Sequence, residues 1–435
     1  TTHSMATDQG RNSGLLGTAV LAEARGETIE KVGVPTYRPY VTPVSWGGFA
    51  GREAGHHLQP IRRTPLHNWH VRNHGIFLET GLWLRPLYYS ATRETGWDPI
   101  LREARAVRQN VGICDVSTLG KIDIQGPDAA EFLERIYTNA WKKLAVGACR
   151  YGLMCKADGM VFDDGVTARL APDRFLMTTT TGGAARVLYW LEEWLQTEWP
   201  ELKVYCTSVT EQWSTVAIVG PHSRRILKAL APQLDLSNAA FPFMTWQDAV
   251  VAGMDARVFR ISFSGELAYE INVPAWHGLA MWQAVWAAGE PHGLVAYGTE
   301  TMHVLRAEKG YIIVGQDTDG TQTPMDVQMD WIVSKKKDFI GKRSFTRSDT
   351  ARAGRHQLVG LLPVDGSVVL PEGAYIVNEK DGGATPPVKH VGHVTSSYHS
   401  AELNRSFAMA MIADGTSRYG DTVAIPFGGS FALAT

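Results

Sequence analysis

A short device that occurs twice constrains this chain more than any other feature. Residues 121–125 (KIDIQ) alternate polar and apolar side chains, as a strand does. Gly126-Pro127 breaks the strand, and an amphipathic helix (AAEFLERIY) begins after Asp128. At 215–219 the run TVAIV is again followed by Gly-Pro, here Gly220-Pro221, and then by the helical SRRILKAL. The two copies lie 94 residues apart. Such a chain folds as α+β, each helix packed on its own sheet. Either a duplicated subdomain or the common grammar of strand-to-helix connections accounts for the pair.

The intervening and following segments extend this pattern. Strands are expected at 160–170 and 174–180, then a helix over 185–197 (ARVLYWLEEWLQT). A hairpin over 248–263 turns at Gly253-Met254-Asp255, and helices follow at about 275–289 and 298–309. Beyond Lys335-Lys336-Lys337, strands at 356–363, 389–395, 406–413 and 422–433 are separated by turn residues, the pattern of a small antiparallel barrel or sandwich. Upstream, residues 12–25 read as a short helix and 27–60 as a Pro/Gly/aromatic linker. Thr1 opens the chain and the first Met is Met5, so a piece of a longer polypeptide is expected.

Composition excludes several classes. A net charge of −2 provides no basic surplus for nucleic acid or an anionic membrane. No apolar run reaches the roughly 18 residues of a membrane span, and no basic-then-apolar leader is present. Cys114, Cys149, Cys155 and Cys206 form no paired CxxC units, which fits a reduced, cytoplasmic setting. His67 and His70, with His56-His57 nearby, lack a third ligand at metal-site spacing. No GxGxxG opens a helix after a strand, and neither GxxxxGK[ST] nor GxSxG occurs. The lysine cluster reads as a solvated loop or, less simply, as a seat for an anionic tail.

Two acidic stretches remain as candidate sites. In DGMVFDDG (158–165) adjacent strand side chains face opposite ways, so only one of Asp163 and Asp164 enters a given pocket. Two carboxylates in an apolar strand are costly unless paired; the bland alternative is a turn after Gly159 with both aspartates wet. In FSGELAYE (263–270), Ser-Gly makes a turn and Glu270 opens the strand that leaves it. A carboxylate there could accept paired hydrogen bonds from an amidine-like ring edge; the alternative is a surface hairpin with Glu266 and Glu270 both solvated.

Taken together, the chain resembles the aminomethyltransferase (glycine-cleavage T-protein) family. The matching residues run in order: Arg63-Thr64-Pro65-Leu66, Cys114-Asp115-Val116-Ser117, the 158–165 stretch, Gly220-Pro221, Gly265-Glu266 with Glu270, Leu305-Arg306 with Glu308, Thr323-Pro324, and Gly392-His393-Val394-Thr395-Ser396. Within the family the resemblance extends to the C-terminal part of the α subunits of heterotetrameric sarcosine oxidases. It rests on DDGVTARLAPDRFLMTTTT (163–181), SVTEQW (208–213) and FRISFSGELAY (259–269). Thr7-Asp8-Gln9-Gly10 looks like the last helix of that subunit's dinucleotide-binding part.

The resemblance implies a multi-domain aminomethyltransferase-like fold. It would comprise 1–60 as the tail of an upstream dinucleotide-binding domain plus linker, 61–345 as a folate-binding domain, and 346–435 as a β-barrel-like domain. It implies tetrahydrofolate as cofactor, Asp164 as the catalytic aspartate and Glu270 as the pterin-holding glutamate. Phe263, Tyr269 and Arg306 are implied as further folate contacts, with Phe263 standing where T-proteins usually carry tyrosine. FAD, FMN and NAD are implied only in a complete complex, outside most of this chain, with other subunits of a flavin-dependent amine oxidase as partners. Met302 falls where T-proteins have arginine, which weakens any carry-over of lipoyl-protein chemistry. The implied reaction passes the one-carbon unit of oxidised sarcosine to tetrahydrofolate, giving glycine and 5,10-methylenetetrahydrofolate. A free-standing aminomethyltransferase or demethylase, and a non-catalytic folate-binding assembly module, are the rival expectations.

Overall fold

A computed structural model describes residues 22–28, 31 and 61–435, except 92, 93, 95 and 386. The chain forms two compact units, Thr1–Ile61 and Arg62–Thr435. In the first, residues 22–25 are helical; the rest of the helix expected at 12–25 and nearly all of the 27–60 linker lie outside the described residues.

The second unit opens with α1 (His67–Arg72), the hairpin β1 (Gly75–Thr80) and β2 (Trp83–Tyr89), and α2 (Asp98–Gln109). Then come β3 (Val111–Asp115), β4 (Gly120–Gln125), α3 (Ala129–Ile136), β5 (Cys149–Cys155), β6 (Val161–Ala171), β7 (Arg174–Thr179), α4 (Ala184–Thr197) and β8 (Tyr205–Ser208). The second half repeats the alternation with β9 (Trp213–Val219), α5 (Ser223–Leu230), β10 (Thr245–Val251), β11 (Met254–Arg260), β12 (Ala268–Pro274), α6 (Gly278–Gly289), β13 (Leu294–Ala296) and α7 (Thr299–Ala307). Six strands finish the chain: β14 (His356–Leu361), β15 (Tyr375–Asn378), β16 (Gly392–Ser400), β17 (Arg405–Ala413), β18 (Val423–Phe427) and β19 (Ser430–Ala434).

The strands assemble as β5-β6-β7-β4-β8, as β10-β11-β12-β9-β3-β13, and as β14-β17-β16-β15-β18-β19. The fold is thus mixed α/β with an antiparallel C-terminal sheet, as the sequence implies. Residues 362–364 bond to Leu433 and Thr435 beyond the end of β14, bringing that sheet's two outer strands together into a barrel-like form. Val359, Ile376, Ala410, Ile412 and Ile425 fill its interior.

Both Gly-Pro devices sit where expected. Gly126 and Gly220 have φ of 137° and 127°, values open to glycine but strained for other residues. A Cβ on Gly126 would lie 2.0 Å from the Lys203 carbonyl oxygen, and one on Gly220 would lie 2.5 Å from that of Val107. The sharp turn drops each helix back onto its own sheet. Phe132, Leu133 and Ile136 of α3 cover Ile122 and Ile124 of β4. Ile226 and Leu227 of α5 cover Val216 and Ile218 of β9.

Some elements differ from the sequence expectation. Two of the three polar residues of KIDIQ do not face water: Lys121 is buried in the cleft against the second sheet and Asp123 under Arg174, while Gln125 is exposed. The expected strand 422–433 is a hairpin turning at Gly428-Gly429, both with positive φ. β15 (YIVN) is a strand that the sequence expectation did not include, although its β-branched and aromatic residues favour one. Most consequential is β3: it precedes the first sheet in sequence but pairs with β9 of the second. Residues 116–119 must therefore cross from one sheet to the other.

Candidate functional site

That crossing segment lies beside a narrow cleft between the sheets. Val116 and Leu119 come from the crossing, Lys121 from β4, Val166 from β6, and Leu176 and Thr178 from β7 and its end. Thr215, Phe259, Ile261, Glu270 and Asn272 form the opposite wall. The crossing is pinned from behind. Buried Asp115 accepts from Thr64 Oγ1 at 2.7 Å and from the Ser117 amide at 3.0 Å, and lies 3.1 Å from His70 Nε2. The other nitrogen of His70 meets the Tyr89 hydroxyl at 2.8 Å. Burial alone would raise Asp115, but the hydrogen bonds from His70, Ser117 and Thr64 outweigh it and hold the carboxyl down at about 2.

Glu270 is the unusual group in the cleft. On β12 its neighbours Tyr269 and Ile271 point into the hydrophobic core, so strand alternation turns Glu270 toward the cleft. Its carboxylate makes no hydrogen bond with any described residue. Burial pushes it up to about 7, with the Lys121 ammonium pulling the other way. Lys121 donates to the Ser117 and Leu119 carbonyls at 3.2 and 3.1 Å. Burial lowers it to about 8, against the attraction of Glu270 and Asp115. The other glutamate of the motif is committed: Glu266 accepts from Arg108 Nη1 at 2.9 Å, and Arg108 also binds Glu308.

The aspartate pair divides as strand geometry requires. Asp163 is buried and accepts from the Thr180 amide at 3.1 Å and hydroxyl at 2.9 Å, and from the Asp164 amide at 2.8 Å. It braces the strand. Asp164 lies on the face of β6 that carries Val166, one alternation from the cleft lining. Tyr151 donates to it at 2.6 Å. Burial, then the adjacent Asp163 charge, raise Asp164 to about 7, opposed by the Tyr151 hydrogen bond.

The other residues expected with folate lie elsewhere. Tyr269 is fully buried against Phe241 and receives a hydrogen bond from Arg224 Nε at 3.2 Å; its strand parity is opposite to that of Glu270. Arg306 is enclosed in an ion pair with Asp317 at 2.5 Å and donates to Ser396 Oγ at 2.8 Å, tying α7 to the C-terminal sheet. Phe263 is exposed and stacks on Tyr311 at 6.2 Å, outside the cleft lining. Among the described residues no group of three His, Cys, Asp or Glu side chains could hold a metal ion, and no helix is long and apolar enough to cross a membrane. Lys121, Tyr151 and Asn272 escaped the sequence reading. Only Lys121 carried a signal: a cation inside an otherwise buried strand.

Residues 66–337 match the GCVT N-terminal domain, and residues 356–435 match the glycine cleavage T-protein C-terminal barrel domain. The chain belongs to the glycine-cleavage T-protein family. Residues 1–52 also match the sarcosine oxidase A3 domain. Among relatives, the sarcosine oxidase subunit alpha of Corynebacterium sp. (strain U-96) is 55% identical over 431 residues, covering 99% of this chain and 45% of that protein. The chain therefore spans about half the length of this relative. The aminomethyltransferase of Thermotoga sp. (strain RQ2) is 27% identical over 374 residues, covering 85% of this chain and 94% of that protein. The glycine cleavage system aminomethyltransferase T from Bartonella henselae has the same fold, with a TM-score of 0.74, 23% identity, and coverage of 86% of this chain and 96% of its own. In this T-protein-family chain, the cleft lies between the two sheets of the N-terminal domain.

Proposed function

We propose that this chain is the folate-binding part of a sarcosine oxidase α subunit. It passes the one-carbon unit of an oxidised N-methyl amine to tetrahydrofolate, yielding 5,10-methylenetetrahydrofolate and glycine. The observation that carries the reading is Glu270, a carboxylate facing a cleft without a hydrogen bond of its own among the described residues. The donor set suits a flat heteroaromatic with a polar edge. Val116, Leu119, Val166, Leu176, Phe259 and Ile261 offer apolar walls, while Glu270, Asn272, Thr215 and Thr178 offer polar contacts. Bound folate would supply the amine nitrogens that capture the carbon.

The chain's own residues do the rest. Ionised Glu270 accepts paired, charge-assisted hydrogen bonds from an amidine-like edge. Asp164, held near neutrality, accepts a proton from the attacking amine and balances developing positive charge, with Tyr151 fixing its orientation. The apolar walls limit water and thus loss of the carbon as formaldehyde. Oxidation of the amine belongs to a flavin elsewhere in the assembled complex, with FAD, FMN and NAD sites beyond most of this chain and a cytoplasmic setting.

The test is product partition. The assembled oxidase is supplied with sarcosine and tetrahydrofolate, and methylenetetrahydrofolate is measured against free formaldehyde. Asp164→Ala is expected to shift at least ten-fold toward formaldehyde with unchanged oxygen uptake. An unchanged partition would remove Asp164 from the chemistry.

A further inference from the structure

A second orphaned charge lies beside the cleft, on β2. Arg85 is buried, yet its guanidinium has one hydrogen bond among the described residues, from Nη1 to Thr181 Oγ1 at 3.3 Å. Nε and Nη2 are enclosed with no partner. Those two N–H groups point the same way and form the side-on fork that takes a carboxylate through two parallel bonds. The nearby anion is already committed: both Asp115 oxygens accept from Thr64, His70 and Ser117. Glu103, also buried, accepts from the Tyr89 and Gly298 amides and Thr301. Even with the Asp115 charge nearby, buried guanidinium N–H groups that reach no acceptor are costly, so the fork is suited to an anion that arrives from outside.

The position of Arg85 narrows the ligand. Thr118 Oγ1 and Thr181 Oγ1 meet at 3.1 Å beside it. Thr118 lies between the cleft residues Val116 and Leu119, and Thr181 lies three positions past the cleft residue Thr178. Thr180, next in the chain, binds Asp163, the neighbour of Asp164. Arg85 thus stands just past the end of β7, next to the threonine that braces Asp163, with the buried Cys114 and Asp115 on its other side.

We propose that Arg85 anchors the carboxylate of the amino acid that delivers and leaves the one-carbon unit. This makes it the positioning residue that selects an N-methyl amino acid over a simple methylamine. The inference rests on the proposed one-carbon transfer reading and assigns that site its second ligand. A folate carries carboxylates too, on its glutamyl tail, so the test separates the two sources.

Binding of glycine, methylamine, tetrahydrofolate and tetrahydropteroate (which lacks the glutamyl group) is measured by calorimetry on the full chain and on Arg85→Met and Arg85→Lys, glycine with and without folate. Glycine is expected to bind more tightly than methylamine to the wild type and to weaken about 10- to 100-fold in both variants, with both pterins unaffected. Lysine fails here because it keeps the charge and loses the fork. The ligand-free Arg85→Met chain should melt no lower than wild type, since it removes an unpaired buried charge. Unchanged glycine affinity in Arg85→Met overturns the inference. So does a selective loss of tetrahydrofolate over tetrahydropteroate, which would give the fork to the glutamyl tail, or a melting point several degrees lower in both variants, which would make Arg85 structural. Arg85-dependent glycine binding in a chain that binds neither pterin would support this site and sink the folate reading.

Discussion

Glu270→Gln replaces one oxygen of the cleft carboxylate with an amide nitrogen, and its effect on stability follows from burial. The folded chain holds Glu270 at about 7 against an ordinary value of 4.5. At about 1.4 kcal/mol per unit, the ionised form at pH 8 carries a penalty of roughly 3 kcal/mol. Part of this is returned when Gln is introduced, because Lys121 loses the charge that steadies its ammonium, leaving a net gain of about 2 kcal/mol. The sign is fixed by the direction of the shift. A carboxyl raised on folding contributes fully below its unfolded value and loses that contribution as pH rises through its folded value. Wild type should therefore lose stability between about pH 4.5 and 7, while Glu270→Gln lacks this component. With an unfolding entropy of roughly 2 cal/mol/K per residue over the unit Arg62–Thr435, the variant should melt about 2–3 °C higher at pH 8 and at the same temperature near pH 4.5. Calorimetric scans at both pH values measure this. Tetrahydrofolate titration of the same samples should show affinity reduced about 10- to 100-fold at pH 8. A variant that melts lower at pH 8, or binds folate as wild type does, would refute the assignment of a strained, ligand-seeking carboxylate.

Tyr151→Phe removes the hydrogen bond that favours ionised Asp164; the acidic limb of the pH profile for methylene transfer should move up by about one unit, read from product partition against pH. Asp317→Ala leaves Arg306 buried without its counter-ion, and denaturant unfolding should report a loss of about 3–5 kcal/mol. Gly126→Ala and Gly220→Ala each force a Cβ against a carbonyl oxygen at positive φ. Each should cost more than about 2 kcal/mol by denaturant unfolding, and a neutral result at both would show that the turns relax.

Strand–Gly-Pro–helix was legible because the restriction is local. Gly126 and Gly220 must adopt φ values strained for other residues, and the apolar stripes of 129–136 and 223–230 are helical wherever they pack. Most C-terminal strands were legible for the same reason, but the short β15 was not expected and 422–433 reads as one strand across the β18–β19 turn. Strand parity likewise limited Asp163 and Asp164 to one cleft-facing member. Parity cannot name that member, because it is silent about what faces each side.

Tertiary structure supplied that answer. Asp163 is distinguished from Asp164 by Thr180, 17 positions away, and Glu266 from Glu270 by Arg108, 158 positions away. Neither partner has a fixed sequence spacing to its acid, so no local pattern encodes the choice. The same holds for Tyr269, whose burial depends on the α5 side of its sheet, and for Arg306, whose counter-ion becomes visible only when α7 meets the C-terminal sheet. The cleft itself arises because β3 crosses to pair with β9. Sequence alone determined which residues could turn and alternate; long-range pairing decided which charges were satisfied, and so left the Glu270 carboxylate and two N–H groups of Arg85 without hydrogen-bond partners among the described residues.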